Sequence, residues 1–354
     1  MSQDAPGNND ATVWPVEAWR GLAAWMVVYS HYWASAGSNW GLLRFSFTGV
    51  DLFFVLSGFV FAPYLFGRPL VTRAFAVRRF FRIYPAYFLA LLIYFGMAWS
   101  DGRELAYWWQ HLVFAYLQSR EMAFYYNPVF WSLPSEVEFY LLLPLLAWCC
   151  SRRLRNVAAL GLAALLLRAV LGYASDVQLQ NGAYIWMHHL PGMLVEFLLG
   201  AGAWWLSQRE LRAPVRALLL VSGLVLWLLL AGCFAAFGDA GINASLARGQ
   251  MSWLAALAFA AMVAASIGAW DKAPAPLVRA ALWAGRLSYG SYLFHIAALR
   301  LLQPYAQSFS HLDVSFGAAM LTLLLAWLGY TLWENPWRRF GRTLAARHQN
   351  RSAR

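Results

Sequence analysis

Apolar residues along this chain come in runs of about 20, broken by short polar intervals, and about 20 residues is the length an α-helix needs to cross roughly 30 Å of hydrocarbon. The runs occupy 14–34, 46–66, 83–100, 134–150, 154–174, 190–207, 215–237, 250–270, 282–302 and 314–333. They predict an all-α integral membrane protein, a bundle of about ten transmembrane helices. The stretch 105–118, LAYWWQHLVFAYLQ, is too short and too aromatic for a span and reads as an interfacial or re-entrant helix. No internal repeat, nucleotide-binding loop or low-complexity linker interrupts the pattern. The expected organisation is a polar tail at 1–13, one transmembrane domain at 14–337 and a basic tail at 338–354.

Composition agrees with a bilayer as solvent: of 354 residues, 61% are hydrophobic and 12% charged, and the mean hydropathy is +0.49. A net charge of +11 would point to nucleic acid or an anionic surface in a soluble chain. Its distribution gives it another meaning. With the N-terminus inside, the inner segments collect Arg68, Arg73, Arg78, Arg79 and Arg82, then Arg152, Arg153 and Arg155, then Arg209, Arg212 and Arg216, then Lys272, Arg279 and Arg286, and the arginines of the C-terminal tail. The outer side has only Arg44, Arg103, Arg120 and Arg248, and the spans hold Arg20, Arg168 and Arg300. That bias predicts both termini in the cytoplasm and explains the net charge by topogenesis, without a nucleic-acid partner. The first 15 residues, MSQDAPGNNDATVWP, have neither a positive n-region nor a small-residue cleavage site, so the first span is expected to be retained. Three cysteines, Cys149, Cys150 and Cys233, make no disulfide framework or zinc site, and no metal is expected.

The candidate chemistry lies in ionisable residues inside apolar helices, where an Arg near the centre costs about 2.5–3.5 kcal/mol and such groups face a bundle interior or a wet cavity. In RGLAAWMVVYSHYW, Arg20 and His31 are separated by about 16 Å of rise and three turns plus about 20°, so they share a face. Glu17, one turn before Arg20, can pair with it. Asp51, in FTGVDLFFVLSGFVF, has no helical salt partner within four residues, so its partner should come from another span. In WSLPSEVEFYLLLPLL, Glu136 and Tyr140 share a face and Glu138 points elsewhere. In GRLSYGSYLFHIAALR, Ser288, Tyr292 and His295 follow helical spacing. Imidazole suits a base near neutral pH, and a carboxylate such as Asp51 or Glu136 can orient it. Arg78, Arg79 and Arg82 in AVRRFFRIYPAYF suit phosphate groups. Structural roles compete with each of these: snorkelling for Arg20, interfacial placement for His31, capping for Asp51, dipole pairing for the glutamates, interhelical hydrogen bonding for Tyr292 and His295, and topogenesis for the arginines.

These landmarks resemble the acyltransferase 3 family of membrane acyltransferases. The likeness is carried by EAWRGLAAWMVVYSH, GVDLFFVLSGF, RRFFRIYPAY, WSLPSEVEFYLLLPLL, LSYGSYLFH and ENPWRR, in order from residue 17 to 339. The resemblance implies transfer of an acyl group, usually acetyl, from cytoplasmic acyl-CoA to a hydroxyl, commonly of a cell-surface carbohydrate or its lipid-linked precursor, by a multi-pass protein of the bacterial inner membrane. By the family pattern Arg20 and His31 are essential, with His31 the base. Arg79 and Arg82 belong to the donor-binding motif, with neighbouring Arg78 and Arg20 as further donor-binding candidates, and Asp51 and Glu136 match further motif positions. Glu17 and Trp19 stand where Asp and Leu are more usual, and Glu138 where Gln often stands. Tyr140, Tyr292 and His295 are candidates for contacting substrate.

Two other readings stay open in the sequence. Buried His, Asp and Glu also build proton-coupled transporters or flippases, although no repeat or pair of matched broken helices marks such a fold here. A scaffold without catalysis would leave the convergent ionisable groups unexplained. The aromatic content of 17% with 20 Trp supplies outer residues, Trp40, Tyr107, Trp108, Trp109, Tyr125, Tyr126 and Trp131, suited equally to sugar stacking and to interfacial anchoring. The sequence leaves the oligomeric state and the acceptor open.

Overall fold

A computed structural model describes residues 14–35, 41–150, 152–177, 181–242, 246–269 and 273–352. Among them all regular structure is helical. In chain order the elements are α1 (Trp14–Ser35), α2 (Gly41–Arg44), a 3₁₀ turn (Phe45–Thr48), α3 (Gly49–Leu65), α4 (Thr72–Ser100), α5 (Trp108–Leu112), α6 (Arg120–Phe124), α7 (Ser132–Cys150), α8 (Leu154–Val177) and α9 (Asn181–His188). There follow α10 (Leu190–Ser207), α11 (Ala213–Ile242), α12 (Leu246–Ser266), α13 (Ala275–Leu302), a 3₁₀ turn (Gln303–Gln307), α14 (His311–Leu328), a π turn (Gly329–Glu334) and α15 (Asn335–Ser352). The tail 1–13, Trp40, Lys272 and Arg354 lie outside the described residues.

Among the described residues, seven helical stretches are long and apolar enough to cross a bilayer: Phe45–Leu65, Thr72–Ser100, Ser132–Cys150, Leu154–Ala174, Ile185–Ser207, Ala213–Phe237 and His311–His348. The protein is therefore a multi-pass membrane protein, with seven spans defined by length and composition where the apolar runs predict ten. The apolar stretch described for α12 is Gln250–Ser266, part of a helix of 21 residues. Helices α1 and α13 have 22 and 28 residues, about 33 and 42 Å, but they carry Glu17 and Arg20, and Arg279, Arg286 and Arg300, within otherwise apolar sequence.

Two boundaries differ from the apolar pattern. The helix expected from residue 83 begins at Thr72, after an extended Val71, because arginine is a good helix former and the basic stretch adds turns to α4 instead of making a loop. At the other end the chain does not leave the helix near 333. The π turn joins α14 to α15, and the rod runs on through the basic tail to Ser352, where Trp337 stacks on Phe81 of α4 with ring centroids 5.9 Å apart. Helix α14 starts at a capping box: Ser310 Oγ accepts the Asp313 N–H while the Asp313 carboxylate accepts the Ser310 N–H, each at 3.2 Å. The 105–118 stretch does not span; it breaks around α5, with Tyr107 and Phe114 in the left-handed region at φ 59°. Its His111 is buried against Tyr116, rings 4.2 Å apart, and burial holds the imidazole down to about 4.

Helix α3 is the hub, packed by α1, α7, α10 and α12. In lipid no hydrophobic force draws helices together, so close backbone approach does much of the work. The α3–α10 crossing is glycine-lined on both sides: a Cβ on Gly58 would overlap the Phe197 carbonyl, and one on Gly200 would overlap the Val55 carbonyl. Helix α13 packs along α1, α14 and α4, and α15 along α4. Helices α8 and α11 are peripheral, with Leu162, Val170, Leu218 and Leu229 between 59% and 68% exposed, a surface suited to lipid.

Gly200→Val should force α3 and α10 apart and lower stability by about 1–3 kcal/mol or more, read as a lower thermal midpoint in detergent. Gly96→Ala, whose Cβ meets nothing within 4 Å, should leave the midpoint unchanged.

Candidate active site

A cleft of about 80 Å³ opens in the middle of the bundle between α1, α3, α4, α7 and α13, with Arg20, Ser57, Arg79, Arg82, Glu136 and Tyr140 among its polar walls. Ser132, Ser288, Tyr289 and Tyr292 complete that lining. The sequence reading puts Arg79 and Arg82 among the inner arginines and Glu136 in a separate span. The fold brings all three into one cavity, because α4 starts early enough for Arg79 and Arg82 to lie a turn apart beside the first turns of α7.

The cations of the cleft differ in how they are satisfied. Arg20 pairs with Glu17 at 2.5 Å, as its i, i+3 spacing predicts. Arg82 lies 3.5 Å from Glu334, a buried residue at the end of the π turn that also meets Arg338 at 3.2 Å. Arg79 has no carboxylate partner among the described residues. Its guanidinium lies over Phe61, 4.8 Å from the ring centroid, with Phe75 and Tyr140 at 5.7 and 5.9 Å, and its buried Nε has no hydrogen-bond partner. Aromatic faces stabilise a cation without neutralising it, so Arg79 brings an uncompensated charge to the cleft wall. Arg78, its neighbour on α4, is not part of that wall. Opposite, Glu136 Oε1 accepts from Ser57 Oγ at 3.2 Å and from the Tyr140 hydroxyl, the face-sharing predicted for the pair.

His31 lies three turns along α1 from Arg20, outside the cleft lining. Its Nδ1 is 2.9 Å from the Val27 carbonyl oxygen, a contact that requires the proton on Nδ1 and leaves the lone pair on Nε2. His295 is beside it, Nε2 to His31 Nδ1 3.4 Å and ring centroids 5.1 Å apart. The Nδ1 of His295 donates to the carbonyls of Tyr292 and Ser291 at 2.9 and 3.1 Å. Tyr32 fixes this layer from behind, donating to the His295 carbonyl at 2.9 Å and pairing with Thr322 at 2.5 Å. Tyr292 links the layer to the cleft: it lines the cleft, and its ring lies 6.3 Å from that of His295. Its hydroxyl donates to the Val129 carbonyl at 2.7 Å and pairs with Ser132 at 2.7 Å, so it holds α13 against the start of α7.

Asp51 corrects an expectation. A partner on another span exists, as predicted, but it is not a histidine. Ser252 Oγ of α12 donates to Asp51 and lies 2.7 Å from Glu196 Oε1 of α10, and Arg168 of α8 reaches that same oxygen at 3.2 Å. All except Ser252 are nearly or fully buried. The contacts described for His31 run to Val27, Ser30 and His295, whereas those of Asp51 run to Ser252 and those of Glu136 to Ser57 and Tyr140. Glu138 does point elsewhere: it pairs with His189 at 2.5 Å and accepts the Leu190 N–H at 2.7 Å, capping α10. Of the aromatic candidates, Trp108 and Trp109 are about half exposed, whereas Tyr126 is buried and Trp131 packs edge-on against His188.

The residues that sequence reasoning missed are Glu334, Glu196, Arg168 as a partner, Ser252 and Ser57. One signal was present: Arg168 and Glu196 are each lone charges in apolar runs, LLLRAVLG and GMLVEFLLG, the same signature that singled out Asp51.

A polar cleft lined by Arg20, Arg79 and Arg82 beside a histidine pair is the candidate active site of this multi-pass helical bundle. The chain belongs to the acyltransferase domain family, whose model matches residues 15–331, and the protein is an acyltransferase. It is 28% identical over 353 residues to a protein of Komagataeibacter xylinus named membrane-bound transacylase BcsY, covering 90% of this chain and 81% of that one. It is 26% identical over 362 residues to nodulation protein 10 of Rhizobium leguminosarum bv. viciae, covering 92% and 93%. A third relative, from Acidianus two-tailed virus and named acetyltransferase ORF330, is 31% identical over 134 residues, 36% of this chain and 38% of that protein. No solved structure is a significant match.

Arg168→Leu should leave Glu196 and Asp51 uncompensated and cost about 3–5 kcal/mol, seen as lost folded protein in detergent. Arg168→Leu with Glu196→Leu should recover most of that loss.

Proposed function

We propose that the protein is an O-acyltransferase of a bacterial inner membrane that moves an acyl group, most simply acetyl, from cytoplasmic acyl-CoA to a hydroxyl of a surface carbohydrate or its lipid-linked precursor. The observation that carries the donor half of this reading is Arg79, a half-buried cation with no carboxylate partner among the described residues, facing a cleft that also holds Arg20 and Arg82. Guanidinium groups of this kind bind phosphate oxygens. In this reading both termini are cytoplasmic, α1, α12 and α13 cross with the seven apolar spans, and the arginine end of the cleft opens inward. The relatives' printed names, transacylase and acetyltransferase, agree with acyl transfer.

His31 is the base in this mechanism. With Nδ1–H held by the Val27 carbonyl, Nε2 takes the proton of the acceptor hydroxyl as its oxygen attacks the thioester carbonyl. The carbon–sulfur bond breaks, and the imidazolium returns the proton to the departing thiolate. Val27 and His295 orient the ring, the role that the sequence reading gave to a carboxylate. Tyr292 holds the wall between cleft and histidine layer. Glu136, with Tyr140, offers the cleft an acceptor for a sugar hydroxyl. Asp51, engaged with Ser252 and Glu196, supports the helices that carry these groups.

The test is release of CoA from acetyl-CoA by the protein in lipid nanodiscs, with and without surface polysaccharide. Release should need acceptor, and His31→Ala should lower it by at least about 10²-fold with normal folding. Undiminished release by that variant would remove His31 as base, and no release by folded wild type with any short acyl-CoA would overturn the reading.

A further inference from the structure

A second cavity lies away from the cleft, between α8, α10, α11 and α12. It is larger, about 440 Å³, and its walls are apolar: Leu154, Leu162, Leu198, Leu206, Leu219 and Leu257 are representative. Acyl transfer at the cleft makes no use of it. On α8 it extends from Leu154 to Leu165, and on antiparallel α10 from Leu206 to Val195, in each case about 16 Å at about 1.5 Å per residue. That is half of a roughly 30 Å hydrocarbon core, the depth of one leaflet's chains. The cavity is open sideways, since Leu162 is 59% and Leu257 38% exposed. Gly161 and Gly202 line it, and a Cβ on either would meet nothing within 4 Å. Unlike Gly58 and Gly200, these glycines are not needed for close helix packing; they leave room.

The second observation is charge at one end. Leu154, Leu206 and Leu219 lie where the chain turns from α7 to α8 and from α10 to α11. Arg153, Arg155, Arg209 and Arg212 flank that end, are exposed, and form no ion pair among the described residues. Arg209 is poised over Trp205 at 4.2 Å, while Arg216 is tied to the carbonyls of Leu211, Ala265 and Ile267 and does not belong to the group. An apolar slot one leaflet deep with guanidinium groups at its mouth is complementary to a molecule with a hydrocarbon chain and a phosphate.

We propose that this groove binds one hydrocarbon chain of an anionic phospholipid, with the headgroup phosphate held by Arg153, Arg155, Arg209 and Arg212. The site depends on the chain's crossing a membrane and not on acyl transfer, so the two readings fail separately. The chain replaces contacts that an empty groove would forfeit, and the phosphate neutralises cations that the protein leaves uncompensated.

The test is native mass spectrometry of the full chain released from vesicles of equal phosphatidylglycerol and phosphatidylcholine. Wild type should retain phosphatidylglycerol at least about tenfold over phosphatidylcholine. Joint Arg153→Gln, Arg155→Gln, Arg209→Gln and Arg212→Gln substitution should abolish the preference. Gly161→Leu with Gly202→Leu should lower retention of both lipids, and should the filled groove impair folding, the arginine variant still decides. Equal retention of the two lipids by wild type, or an undiminished preference in the arginine variant, would overturn the site. Displacement of phosphatidylglycerol by equimolar polyprenyl phosphate would overturn it too, assigning the groove to a lipid-linked molecule.

Discussion

Hydrocarbon does not tolerate an isolated charge, and the bundle is organised by that constraint. Arg168, Glu196, Ser252 and Asp51 tie α8, α10, α12 and α3 together. Arg82, Glu334 and Arg338 tie α4 to the long C-terminal rod. Glu138 and His189 tie α7 to the start of α10, and Glu17 neutralises Arg20 within α1. Against that background Arg79, resting on aromatic rings with no carboxylate partner among the described residues, stands out, and in the proposed function its charge serves the donor.

The same constraint divides the site into two layers. The cleft gathers cations, a carboxylate and hydroxyl groups from five helices. The histidine layer uses backbone carbonyls to fix its tautomers: Val27 for His31, and Ser291 and Tyr292 for His295. A carbonyl in the same helix is a partner that cannot swing away, so the ring's orientation depends only on α1 and α13 staying packed. Their packing is close, with Gly285 of α13 pressed against Glu17 of α1, the residue that also neutralises Arg20. The Glu17–Arg20 pair and the histidine geometry therefore share one helix pair.

Much of this was legible in the sequence because it is local. The Glu17–Arg20 pair, the shared face of Glu136 and Tyr140, the alignment of Tyr292 with His295 and the divergence of Glu138 all follow from helical spacing. What was not legible is what depends on which faces of different helices meet. Asp51 needed a cross-helix partner, yet nothing local chooses Glu196 and Ser252 over His31; the glycine-lined α3–α10 crossing does that. The onset of α4 at Thr72 was hidden because a basic interval reads as a loop by hydropathy although arginine favours helix. Glu334 was hidden by the same preference, since the π turn carries the helix past the end of the apolar run and turns that carboxylate toward Arg82.

The central claim is that the uncompensated Arg79 makes the cleft a binding site for the anionic end of the donor. Calorimetric titration of CoA into the wild-type protein and Arg79→Gln, each in neutral-lipid nanodiscs and at two salt concentrations, tests it most directly. The account predicts saturable binding by wild type that weakens with salt, and at least about tenfold weaker binding by the variant, the 1.4 kcal/mol of one charge-assisted contact. Equal affinity of the two proteins for CoA would contradict it.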